Sequence, residues 1–383
     1  MPKFSISDLT RRWSVRALAA SMSLAALAAI PATAAAKHSQ IAIIQDGSDL
    51  ANAPAAMAEF RALGATTVRV VVPWATIAPN ATKTRKPNFK ATDPNAYPAK
   101  NWAPYDELDK AAKADGMTVD FVVTGGAPRW AEGRGIPGGP HGFNNSQNKG
   151  AIFFAWKPSA NEYGQFFKAV ATRYSGHFKP RGQSTALPNI HFWTIYNEPN
   201  FGEDLGPQAT HRSTVATGPM MFRGLLNAGW KALHQTGHGR DTIIFGEYAA
   251  EGFEPGPNPK PDGLPGNAGQ TRPLLFTRDL YCVDSHYRWL RGSDARATGC
   301  PTTASGSRKF RSQNPALFSA SAVSAHPYPQ GSSPVSKAGN KVDYATFPDL
   351  GNLARTFDKV NRAYGSGKKY AIYNTEYGYI TNP

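Results

Sequence analysis

With 383 residues, 41% of them hydrophobic and 18% charged, the chain can bury a large core, which excludes a disordered segment or a small disulfide scaffold. The formal net charge of +15 favours anionic partners such as cell-wall polymers or acidic polysaccharide, or is solvated surface charge. Lysines and arginines are scattered and no nucleic-acid motif accompanies them, so no nucleic-acid partner is expected.

Residues 1–36 read as a secretory signal peptide. Lys3, Arg11, Arg12 and Arg16 form a basic start, residues 17–30 an apolar run, and residues 32–36 a small-residue cleavage zone. The run is short for a membrane span, and a retained anchor is the alternative. The leader's four basic residues less Asp8 carry +3, which leaves +12 on residues 37–383. The expected destination is extracellular, with no membrane partner after signal removal. In that setting the two cysteines, Cys282 and Cys300, read as one disulfide rather than two free thiols. By loop entropy it would contribute about 3 kcal/mol.

Residues 41–45 form a first strand, and residues 51–63 a helix closed by Gly64. Residues 66–74 (TTVRVVVPW) are a second strand. Arg69 lies inside this apolar run, where it either faces solvent or needs a partner, since an isolated buried charge costs several kcal/mol. Residues 79–103 read as a polar loop and 105–115 as a helix. Residues 117–124 form a third strand running into GGAPRW. Trp74 and Trp130 are candidates to stack on sugar rings, or else pack in the core. Residues 132–157 are a Gly, Asn and Pro-rich loop, and residues 160–174 a helix.

Residues 191–200 read HFWTIYNEPN. An aromatic and β-branched run is a buried strand, and Pro199 must end it. Glu198 and Asn197 therefore stand at the strand's C-terminal tip, where α/β folds place chemistry. A carboxylate there acts as a reactive group, caps the next helix, or pairs with an Arg. A helix at 220–236 and a strand at 242–250 follow, with Glu247 and Glu251 as candidate substrate contacts or plain surface carboxylates. Residues 252–315 form the longest insertion, read as a substrate-binding lobe on the active-site face. A strand at 317–325 ends in His326-Pro327-Tyr328, and a helix spans 350–364. The last strand runs into Glu376 (KYAIYNTEYGY). No CxxC or HExxH pattern appears, and Gly237 separates His234 from His238, so no metal is expected.

Two strand-end carboxylates in a βα alternation suit glycoside hydrolysis, which needs a proton donor and a nucleophile or base. Asn197-Glu198-Pro199 together with Glu376 resembles the signature of clan A glycoside hydrolases, the retaining (β/α)8 barrels that include families 5, 30, 39 and 51. The resemblance covers most of the chain from about residue 41 onward. It implies that Glu198 is the acid/base and Glu376 the nucleophile. Arg69 on the second strand would support the nucleophile, the Tyr328 hydroxyl of the His326-x-Tyr328 motif would bond it, and Asn197 would bond the sugar 2-hydroxyl. Ala127-Pro128-Arg129-Trp130-Ala131 resembles family 39-like barrels and lacks the His usual in family 5.

The expected fold is a (β/α)8 TIM barrel truncated after strand 7. Residues 37–383 are expected to form the catalytic barrel; the sequence reaches Pro383 without an eighth strand or the clan's strand-8 Trp, so either its C-terminus is incomplete or another segment closes the barrel. The expected activity is retaining hydrolysis of β-glycosidic bonds in an extracellular oligo- or polysaccharide, by a monomer that needs no cofactor. A carbohydrate-binding protein without turnover, on the same barrel, is the alternative.

Overall fold

The computed structural model describes residues 40–45, 51–136, 154–209, 215–252, 269–329 and 343–378. Seven strands form one sheet in sequential order, every neighbouring pair parallel. They are β1 (Ile43–Ile44), β2 (Thr67–Pro73), β3 (Thr118–Thr124), β4 (Phe192–Ile195), β5 (Thr242–Ala249), β6 (Ala322–His326) and β7 (Ile372–Asn374). Helices return the chain between them: α1 (Ala53–Ala62), α2 (Ala99–Ala114), α3 (Ala160–Arg173), α4 (Gly218–Gln235), α5 (Pro273–Leu280), α6 (Gly292–Ala297), α7 (Ala304–Gln313) and α8 (Leu350–Ala363).

One side chain shows that the sheet curls into a barrel. Arg69 on β2 bonds Glu376, two residues past β7, at 2.7 Å. In a flat sheet those strands would lie five spacings, about 24 Å, apart. The fold is thus a (β/α) barrel with seven described strands.

Strand alternation sorts residues between two cores. On β2, Val68, Val70 and Val72 are buried beneath the helices, while Arg69 points into the barrel. Trp193 and Ile195 of β4 join the same outer core. Inside, Phe192, Ile244 and Ala322 pack with Tyr373 as an apolar plug near the N-terminal ends of β4 to β6. Polar groups fill the opposite end.

Several elements differ from their sequence reading. β1 and β4 are shorter than expected; β4 ends at Ile195 because Tyr196 adopts a left-handed backbone (φ 75°). α2 begins at Ala99, six residues early, and keeps Pro104 inside it. Burial of Trp102, Tyr105, Leu108 and Ala112 on one face outweighs the proline penalty there. Gly64 closes α1 at φ 87°, as expected of a helix-ending glycine.

The insertion is the main correction. Its residues 253–268 lie outside the described residues; residues 269–271 bond Asn200 and Gly202 beside the end of β4, and the residues after them form α5, α6 and α7, which pack in the outer helical layer where a loop was expected. Arg223 of α4 donates to the carbonyls of Asp279, Leu280, Thr298 and Gly299, fastening this segment to the barrel. The Trp289 indole donates to Ala363 O on α8, and Arg311 to Gly365 O. A disulfide joins Cys282 to Cys300 within this layer. The leader and the centre of the 132–157 loop lie outside the described residues. Among the described residues no helix is long and apolar enough to cross a membrane.

Candidate active site

At the C-terminal ends of the strands the structure brings together Arg69, Asn197, Glu198, His326, Tyr328 and Glu376. Arg69 is fully buried, and its guanidinium is the hub. It donates to Glu376 Oε1 at 2.7 Å, to Asn197 Oδ1 at 2.8 Å and to Gln45 Oε1. Two further bonds go to Glu247, from Nε at 3.0 Å and from Nη2 at 2.5 Å. Burial works against the Arg69 charge, and the carboxylates of Glu247 and Glu376 more than offset it, so its pKa is raised.

Glu376 also accepts a bond from the Tyr328 hydroxyl at 3.1 Å. Burial and the neighbouring Glu376 charge push the Tyr328 phenol up to about 12, so it remains a donor. Glu198 has a strained left-handed backbone (φ 36°), which turns its side chain into the site. There it meets His326 Nδ1 at 2.8 Å, and the same nitrogen stands 3.4 Å from Glu376. His326 is buried at the end of β6; burial alone would lower its pKa, but Glu198, Glu247 and Glu376 raise it to about 9. Oxygens of Glu198 and Glu376 lie within 4.8 Å of each other. Both side chains keep a little exposure, 17% and 23%, which leaves the pair open to a ligand. Glu198, His326 and Glu376 stand close enough to share a cation.

Asn197 is fixed on three sides. Its N–H donates to Thr124 Oγ1 at 2.9 Å, its Oδ1 accepts from Arg69, and its Nδ2 donates to Asp204 at 3.1 Å. Nδ2 retains a second hydrogen for a ligand. Asn200 is buried and ties this turn to its neighbours through bonds to Ala249 and Thr271.

The tryptophans part company. Trp74 is fully buried, stacked on Phe166 with ring centroids 5.8 Å apart, and offers no face to a sugar; the sugar-stacking expectation fails for it because the apolar outer core claims its ring. Trp130 is half-buried, its indole N–H donating to Pro79 O and the Lys86 ammonium 5.5 Å over its ring. It lines an open groove with Thr84, Arg129 and Glu132, apart from the charged cluster.

Glu247 is neither a surface carboxylate nor exposed to substrate. It is fully buried, and although burial alone would raise its pKa, Arg69 and His326 hold it down to about 2. Strict alternation hides this role. Ile244 faces the barrel interior, while Ile243 and Phe245 face the helices, so residue 247 should point outward. A register shift between Phe245 and Tyr248 reverses the parity. Gly246 (φ 116°) makes the bulge, and a Cβ there would stand 2.8 Å from Ser324 O. The signal in the sequence is that glycine: an isolated Gly inside a strand run marks a bulge or a close approach.

The molecule is thus a (β/α) barrel with a carboxylate pair at its strand ends. No protein-family model matches the chain, and no curated protein matches it in sequence. Among solved structures it is similar to a glucosidase from Croceicoccus marinus, with 13% identity and a TM-score of 0.40 over 82% of this chain and 46% of that one. It is also similar to the family 1 β-glucosidase of Thermotoga maritima, with 15% identity and a TM-score of 0.44 over 86% of this chain and 66% of that one. That β-glucosidase in complex with deoxynojirimycin matches at 13% identity and a TM-score of 0.46, covering 86% and 66%. The chain spans from about half to two thirds of the length of these proteins.

Proposed function

We propose that the chain is a retaining glycosidase that cleaves β-glycosidic bonds in an oligo- or polysaccharide, with Glu376 as nucleophile and Glu198 as acid/base. The observation that carries this is the approach of the two carboxylates, whose oxygens come within 4.8 Å. Retaining enzymes hold their carboxyls about 5–5.5 Å apart, whereas inverting ones need about 6.5–9.5 Å to admit a water.

The surroundings of Glu376 suit the part of nucleophile. Glu376 receives Arg69 and Tyr328, two donors that stabilise and orient an anion facing the anomeric carbon. Its attack would form a glycosyl ester as Glu198 gives its proton to the leaving oxygen. Water would then attack the ester, Glu198 taking the proton. The spare Asn197 hydrogen is available to a sugar hydroxyl. Secretion is part of the proposal: the leader-like first 36 residues and a disulfide both suit an oxidising compartment.

Following hydrolysis of aryl β-glycosides by proton NMR tests the reading. The first-formed product should be the β-anomer. An α-anomer first would mean inversion and would sink the assignment, and saturable binding of glycans with no turnover would place the chain among carbohydrate-binding proteins.

A further inference from the structure

We propose that Glu247 is a positioning residue for this reaction, the buried counter-ion that anchors Arg69 and backs His326, and through them sets both candidate catalytic carboxylates. The inference takes its meaning from the glycosidase reading, but its main test does not depend on turnover.

The geometry places one anion behind two cations. Both Glu247 oxygens take bonds from Arg69, and Oε1 lies 3.7 Å from His326 Nε2, a charge contact too long for a hydrogen bond. All three side chains are fully buried. On the far side Arg69 reaches Glu376, while His326 Nδ1 reaches Glu198 and approaches Glu376. Glu247 therefore touches neither reacting carboxylate and adjoins the cation held against each.

The other charged groups around it do not take its place. Asp120 faces it from β3, but burial first and the Glu247 charge second push Asp120 up to about 7. Its Oδ1 accepts from Thr194, and Oδ2 is unpartnered. Ser324 on β6 contributes a neutral oxygen, accepting the Glu247 backbone N–H at 3.0 Å. Asp204, beyond β4, acts on His326 only at longer range while it holds Asn197. Without Glu247, Arg69 and His326 would lose the one carboxylate that adjoins both of them on the side away from Glu198 and Glu376. His326 is the one able to shed its charge.

The test follows the ring nitrogens of His326 by NMR in the full chain labelled with 15N-histidine, in wild type, Glu247→Gln and Glu247→Asp. His326 should stay protonated to above about pH 8 in wild type and titrate lower by about one pH unit or more in E247Q. E247D, which keeps the charge on a shorter arm, should restore most of the midpoint while kcat on aryl β-glycosides stays reduced. In E247Q the alkaline limb of the kcat/KM profile should move to lower pH together with His326. A wild-type His326 that titrates near the ordinary value of 6.5, or a folded E247Q with an unmoved midpoint, overturns the proposal. Should E247Q fail to fold, the wild-type midpoint decides the matter, a high value matched by E247D supporting the role. Absence of hydrolysis of any aryl glycoside, with His326 behaving as described, would instead sink the glycosidase reading and leave the coupling standing.

Discussion

Arg69 spends every N–H it has. Its five hydrogens go to Glu247 twice and to Glu376, Asn197 and Gln45 once each. A lysine could not reproduce this fork, and removing one partner of such a buried pair typically costs about 3–5 kcal/mol. This residue was legible because a charge inside the apolar run of β2 demands partners. Glu198, Glu376, His326 and Tyr328 were legible as polar groups where strand-like runs stop. Glu247 was not, since its direction depends on one backbone irregularity. At this scale the Tyr328→Phe variant is informative. It deletes one charge-assisted bond to Glu376 and should lower kcat/KM on aryl β-glycosides by about 10- to 100-fold, from the roughly 1.5–3 kcal/mol of such a bond. Melting temperature should hardly change, because Tyr328 is only partly buried. Unchanged kinetics would mean that the hydroxyl does not serve Glu376.

The element that decides the site is the bulge in β5. Most strands and helices could be read from period and punctuation: β2 and β3 as β-branched runs, and α3 and α4 as amphipathic helices. The outer helices α5 to α7 could not be read, because each is short and surrounded by Pro, Gly and Arg that signal loop. Their helicity comes from docking on α4 and α8, a tertiary cause. Trp74 shows the same limit at a strand end: its neighbours in sequence say nothing of Phe166, on which it stacks. A Gly246→Ala substitution tests the bulge. The methyl group would meet Ser324 O at 2.8 Å on a backbone at φ 116°. It should destabilise the protein by at least about 2 kcal/mol in urea unfolding, and the folded fraction should lose activity as Glu247 turns from Arg69. An unchanged unfolding midpoint would show that the bulge tolerates a side chain.

Over the whole molecule, buried acids and the barrel charges give stability a pH dependence whose sign can be worked out. Burial raises Asp109 and Asp120 from 3.8 to about 7, and each has an oxygen without a partner. The folded state therefore binds protons more tightly there, and stability falls as pH rises from about 4 through 7. His326, raised from 6.5 to about 9, contributes stability that is complete below 6.5 and lost as pH climbs through 9. Glu247, lowered from 4.5 to about 2, acts at the other end: its contribution is present above 4.5 and lost as pH falls through 2. The melting temperature should thus be higher near pH 5 than near pH 9; the reverse order would mean that these groups are solvated. The parallel βα order was legible from the alternation of runs, whereas the charge balance inside the barrel needed the curl that brings β2, β5 and β7 together. The central claim is that Glu376 and Glu198 act as a retaining pair, and intact mass after incubation with activated 2-deoxy-2-fluoro-β-glycosides tests it most directly. A stable glycosyl adduct mapping to Glu376 is the predicted result. An adduct on another carboxylate, or turnover of the parent glycosides with no trapped ester from their fluorinated forms, would contradict it.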